Sequence, residues 1–149
     1  MSESDKAHTG ERNVGTASKT RTRGVATAVF RWGLLVFLAA GVVQIFLAGL
    51  GAFKLLHGAG DSALDPHRTL GFTMAGMALI LLILALIARQ GLRAVVGLVL
   101  LVVLTSFVQS LLASLADHHA VYGALHAADG LLILAIPTYL YFWSGRQMA

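Results

Sequence analysis

Two histidines carry most of the chemistry this chain offers. His67 and His126 each stand at the start of a long apolar stretch, and each is followed one helical turn later by a glycine, in His67-Arg-Thr-Leu-Gly71 and His126-Ala-Ala-Asp-Gly130. An ionisable side chain in a membrane-crossing segment points to function. Neutral imidazole is the metal-ligating form, and helical bundles house cofactors between facing helices. The pair therefore suits axial ligation of a haem iron. Gly71 and Gly130 lie on the same helix face as their histidines, where a missing side chain would let a flat macrocycle approach the backbone. The competing reading is that both histidines anchor helix ends in the wet interface. A bare metal ion would need further donors such as Asp65 or Asp129, and no compact ligand cluster such as H-E-x-x-H occurs.

The neighbouring polar residues each have two readings. Asp129, three residues after His126, could hydrogen-bond a ligating imidazole or relay protons; equally, it could be a protonated carboxyl bonded to Ser or Thr on another helix. Arg68 suits a haem propionate, or it snorkels to the interface. Gln44 and Gln109 could bond a cofactor or join helices. His57, His118 and His119, with Asp117, read as exposed loop residues. No residue is assigned a catalytic role.

The elements that must hold these groups are membrane helices. The chain has 149 residues, of which 57% are hydrophobic and only 12% charged, with mean hydropathy +0.78 and net charge +4. Soluble domains carry about 25% charged residues, so a soluble globular domain, a disordered chain and a coiled coil are excluded. The absence of cysteine excludes disulfides, thiolate metal sites and a cysteine nucleophile. Four apolar stretches are each close to the ~20 residues a membrane helix needs, at about residues 32–53, 67–88, 94–116 and 124–143. The predicted fold is an all-α integral membrane four-helix bundle spanning residues 29–145. Residues 1–28 form a basic polar tail without apolar periodicity, expected to be disordered. A cleaved signal peptide is not expected, because the first apolar run starts late and three more follow. In helix 2, Asp65 is expected to cap the helix with Pro66 at its first position. His67 would then lie in the first turn, where the helix dipole disfavours imidazolium.

The chain also repeats. Gln44-Ile-Phe-Leu-Ala48 in helix 1 matches Gln109-Ser-Leu-Leu-Ala113 in helix 3, and the two His-x-x-x-Gly sequences match in helices 2 and 4. Two tandem hairpins crossing in the same direction, related by an axis along the membrane normal, bring His67 and His126 to equivalent depths. Lys6, Arg12, Lys19, Arg21, Arg23, Arg31, Arg89, Arg93 and Arg146 fall on one side of the membrane, with Lys54 and Arg68 on the other. The positive-inside rule then places both termini in the cytoplasm and the histidine pair near the outer face. Basic residues beside helix ends fit topology or anionic lipid, and no nucleic-acid partner is expected.

Gln44 in helix 1, His67-Arg68 opening helix 2, Gln109 with Leu112-Ala113 in helix 3, and Leu125-His126 opening helix 4 together resemble one four-helix half of the heme A synthase family. In that family a histidine pair on the second and fourth helices of each half ligates haem near the outer face. The resemblance spans residues 29–143 and implies that His67 and His126 ligate haem b. Two departures separate the chain from the catalytic half of a synthase. Leu64 stands where that half has a glutamate three residues before the helix 2 histidine, and the outer-loop cysteine pair is absent; haem oxidation is therefore not implied. The pattern also resembles small actinobacterial membrane proteins of unknown function. The expected protein is a multi-pass haem-b protein of the bacterial plasma membrane for electron transfer or haem handling, with a membrane redox partner or as a homo-oligomer. The alternative is a cofactor-free membrane subunit or packing module.

Overall fold

The computed structural model describes residues 3–146, with side chains over residues 24–146. It contains four long helices, and no strand among the described residues: α1 (Glu3–Leu56), α2 (Asp65–Ile87), α3 (Leu92–Ala116) and α4 (Ala120–Arg146). A short 3₁₀ turn, Asp61–Leu64, precedes α2. Each of the four helices is long and apolar enough to cross a membrane. The expected all-α four-helix bundle is the observed fold.

Helix boundaries differ from expectation in instructive ways. The helical backbone of α1 runs back to Glu3, through the segment expected to be a disordered tail. Once the apolar part has paid the nucleation penalty, each further residue adds a hydrogen bond, so polar sequence can continue a helix it could not start. Asp65 does not cap α2: it is the first helical residue, Leu64 holds the cap position, and no side chain closes the cap. Its carboxylate instead reaches Arg68 at 3.2 Å. Pro66 does occupy the first turn, as its missing N–H allows. Gly91 has φ +90°, a left-handed conformation that favours glycine, and starts α3 after a tight turn from α2.

The helices close a ring. α1 packs on α2 and α4, and α3 packs on the same two; the diagonal pairs keep their Cα atoms more than 8 Å apart. What faces the centre follows a repeat of three and four residues. On α1 it is Phe30, Leu34, Phe37, Gly41 and Gln44; on α2 it is His67, Gly71, Met74, Ala78, Leu81 and Ala85; on α4 it is His126, Gly130, Ile133, Pro137, Leu140 and Ser144. This is the 3.5-residue seam that lets bundle helices pack at small crossing angles. Bulky Phe30, Leu34 and Phe37 on α1 share one buried cluster with small Ala78 and Ala85 on α2. Gly41 lets α1 approach close enough for the Leu134 and Met74 side chains to touch its backbone. The outer surface is apolar, with Trp32, Phe46, Phe72, Phe107, Leu131 and Phe142 all exposed. A soluble monomer rarely exposes so much apolar surface; lipid supplies the missing contacts.

The end of the bundle opposite the histidines is tied by polar side chains. Buried Gln90 donates to Thr27 Oγ1 at 2.9 Å, and the Arg31 guanidinium lies 4.5 Å from the centre of the Tyr141 ring. The second contact is a cation–π pair that holds α1 against α4.

Candidate functional site

The sequence repeat reappears as a repeat of hydrogen bonds. In the first hairpin, the Gln44 amide nitrogen donates to the His67 carbonyl at 2.9 Å, and His67 Nδ1 lies 3.2 Å from the Gln44 carbonyl. In the second, the Gln109 amide nitrogen donates to the His126 carbonyl at 3.0 Å, and His126 Nδ1 lies 3.2 Å from the Gln109 carbonyl. Each glutamine and histidine thus form a two-way clasp between adjacent helices. Hydrogen bonds of this kind contribute about 0.6 kcal/mol each in a membrane protein, and up to about 1.7 kcal/mol.

The clasp sets the state of the imidazole. A backbone carbonyl can only accept, so Nδ1 of each histidine must carry the proton. In the neutral ring this leaves the lone pair on Nε2. Metal-ligating histidines have this arrangement, with the far nitrogen held by a carbonyl and the near one free to coordinate. The two rings meet edge to face between the diagonal helices α2 and α4. Their centroids are 6.1 Å apart and their planes are inclined at 65°. A metal held by both rings would draw on the two Nε2 lone pairs, at ~2 Å per metal–nitrogen bond. The donor set stops at two. No group of three or more His, Cys, Asp or Glu that could hold a metal ion occurs among the described residues, so a bare ion would lack ligands that a porphyrin brings with it.

Gln109 reaches its place through a widened turn. Residues Leu104–Val108 of α3 form a π-helical segment. Upstream, the seam positions are Ala94, Leu98 and Leu101, followed by Thr105; an unbroken α-helix would next bring Val108 inward. The extra residue in the π turn brings Gln109 instead. Thr105 Oγ1 donates to the Leu101 carbonyl at 2.8 Å and to the Val102 carbonyl at 3.3 Å, satisfying acceptors that the wide turn loosens. α1 needs no such device, because Phe37, Gly41 and Gln44 already follow the seam.

The other residues singled out in the sequence behave differently. Gly71 and Gly130 seat the glutamine amides: a Cβ on Gly71 would lie 3.1 Å from Gln44 Nε2, and one on Gly130 would lie 3.7 Å from Gln109 Nε2. The space expected to admit a macrocycle beside these glycines is thus taken by the amides. Gly71→Ala is accordingly expected to shift the Gln44 amide by a few tenths of an ångström and weaken its clasp, leaving it less stable than Gly130→Ala, whose added Cβ lies at ordinary van der Waals distance and changes stability by about 0.5 kcal/mol or less. A detergent-solubilised thermal shift series checks the asymmetry; equal effects would contradict the clasp geometry.

Arg68 points away from the pair. It forms a two-pronged salt bridge with Asp61, both contacts at 2.9 Å, and a third contact with Asp65. The expected partnership with a haem propionate therefore finds the guanidinium already engaged at the exposed loop. Asp129 is 5% exposed and lies beside His126 and Gln109. Its Oδ2 and Gln44 Oε1 are buried without hydrogen-bond partners, so each hairpin holds one unsatisfied polar oxygen next to its clasp. His57 bonds its own helix through the Phe53 carbonyl, while His119 lies by Tyr122. Neither joins the central pair. Sequence reasoning named both glutamines but missed their role in fixing the imidazoles, because their partners are backbone groups.

Fold and site together define a multi-pass membrane protein built as a duplicated helical hairpin around a central histidine pair. Residues 44–117 match the model of a family of unknown function, DUF6220. The match runs from the first clasp glutamine to the end of α3, and so covers Gln44, His67 and Gln109 but not His126. No curated protein and no solved structure matches the chain.

Proposed function

We propose that this protein binds one haem b between His67 and His126 and acts as a one-electron carrier or haem-handling protein of the bacterial plasma membrane. The single observation that supports it most is the pair of imidazoles held 6.1 Å apart, each with Nδ1 committed to a carbonyl. A haem there would supply a one-electron redox centre; His67 and His126 would hold it, with Nδ1 of each kept on a carbonyl and Nε2 left to coordinate. Gln44 and Gln109 orient the ligands. Asp129 adds a buried carboxyl on the His126 side that the first hairpin, with Leu70 at the matching position, lacks. The distribution of Lys and Arg favours cytoplasmic termini and a site near the outer face.

Purification in mild detergent after expression with haem supplied tests this reading. One haem per chain with a sharp Soret band and low-spin visible bands is the expected result; a colourless, folded protein after reconstitution with excess haem would refute it. The amides above Gly71 and Gly130 favour one second reading, in which the clasps are purely structural and the protein is a cofactor-free membrane subunit. Under that reading the protein stays colourless and the histidine variants lose stability alone.

A further inference from the structure

The wide turn in α3 has no counterpart in α1. Among the described residues Leu104–Val108 is the only π segment, and the Gln109 N–H closes it on the Leu104 carbonyl, five residues back. Such turns are rare and concentrate at functional sites. This one is held by what it delivers, since in this register Gln109 clasps His126. An unbroken α-helix would close its backbone bonds in ordinary geometry, but it would turn Val108 inward and give up the clasp. The two registers therefore trade one wide turn against one clasp.

Little packing opposes the exchange. None of residues 109–116 is buried. A Cβ on Gly130 would meet the Gln109 amide at 3.7 Å, against 3.1 Å for Gly71 and Gln44, so the second glutamine has the looser seat. Asp117, His118 and His119 beyond are exposed. They can take up the roughly 1.5 Å advance and 100° rotation that one residue of register brings. In α1, by contrast, Gln44 lies on a regular helix, and Gly51 beyond it is buried against Leu64. We propose that α3 is a two-state element. Its outer half, Gln109–Ala116, moves between the clasped π register and an unclasped α register, and so holds or frees His126 while His67 stays fixed. A ligand that needs both imidazoles binds only the clasped register, and by linkage stabilises it. The proposal concerns the helix itself and does not rest on haem.

The absence of cysteine makes single-site labelling direct. A trifluoromethyl probe on Leu111→Cys, or on Phe46→Cys at the matching position of the first hairpin, is read by fluorine NMR of the full-length protein in detergent. Both side chains are exposed, at 58% and 66%, so neither label enters the core. Two exchanging resonances are expected at position 111 and one at position 46. Gln109→Leu, which removes the side-chain half of the clasp, should raise the minor resonance about threefold, the effect of one such hydrogen bond. Deleting Phe107 makes the clasped register α-helical and should leave one resonance at position 111. A signal at position 111 that stays single in Gln109→Leu would overturn the proposal. So would the same two resonances at position 46, or a minor resonance that survives the Phe107 deletion.

Discussion

Replacing either His67 or His126 with alanine is expected to abolish the low-spin haem spectrum, with a larger effect than any other single substitution in the bundle. If haem is bound as proposed, loss of either histidine would leave it held by one imidazole only. Removing a group that merely orients a metal ligand already lowers affinity by about 10- to 100-fold, so removing the ligand itself should exceed that range. Gln44→Leu and Gln109→Leu fall within it, because they free the imidazole without deleting it. Added imidazole separates a lost ligand from a lost fold: it should enter the space vacated in His67→Ala or His126→Ala and restore the low-spin bands. A histidine variant that keeps the parent spectrum would remove that residue from the iron. A variant that binds haem no better with imidazole, yet melts far lower, would assign the histidine to packing alone.

The second large effect concerns single-residue deletions. Deleting a residue from a membrane helix rotates everything beyond it by about 100° and turns a packed seam toward lipid. Deleting exposed Val42 from α1 should do this, separating Gln44 from the face that carries Phe30, Leu34 and Phe37, which are fully buried. A bundle that loses such contacts is expected to be destabilised by more than ~3 kcal/mol. Deleting exposed Phe107 from the π segment of α3 should have the opposite outcome. It removes the extra residue, so Leu101, Thr105 and Gln109 acquire the spacing that Phe37, Gly41 and Gln44 already have. Thermal unfolding in detergent compares the two. Near-parent stability is expected for the Phe107 deletion, and strong destabilisation for the Val42 deletion; similar losses in both would mean that the π turn is not an insertion in a common pattern.

Much of this architecture was legible in the residues. Four long apolar runs define the helices because length and hydropathy alone decide membrane crossing. The duplication was legible in Gln44 and Gln109 and in the two His-x-x-x-Gly sequences, since a repeated polar residue in an apolar helix needs a repeated partner. The partners themselves were not legible. Gln44 and Gln109 bond the carbonyls of the histidines, and every residue has a carbonyl. The π turn at Leu104–Val108 leaves no compositional mark; it exists because Ala94, Leu98 and Leu101 must face the centre along with Gln109, a tertiary demand. The partners of Arg68 were not legible for a related reason: only the folded turn shows that the eight residues between α1 and α2 bring Asp61 to it. The helical start of α1 at Glu3 likewise reflects propagation from the apolar part rather than any local pattern.

The most direct test of the histidine pair as a shared iron site is low-temperature electron paramagnetic resonance of the oxidised full-length protein purified with haem. Imidazole planes inclined at 65° should give the strongly anisotropic low-spin signal of crossed axial ligands, present in the parent and absent in both single-alanine variants. A high-spin signal, a rhombic signal of coplanar ligands, or no haem signal at all would contradict a haem ligated by both rings in this geometry.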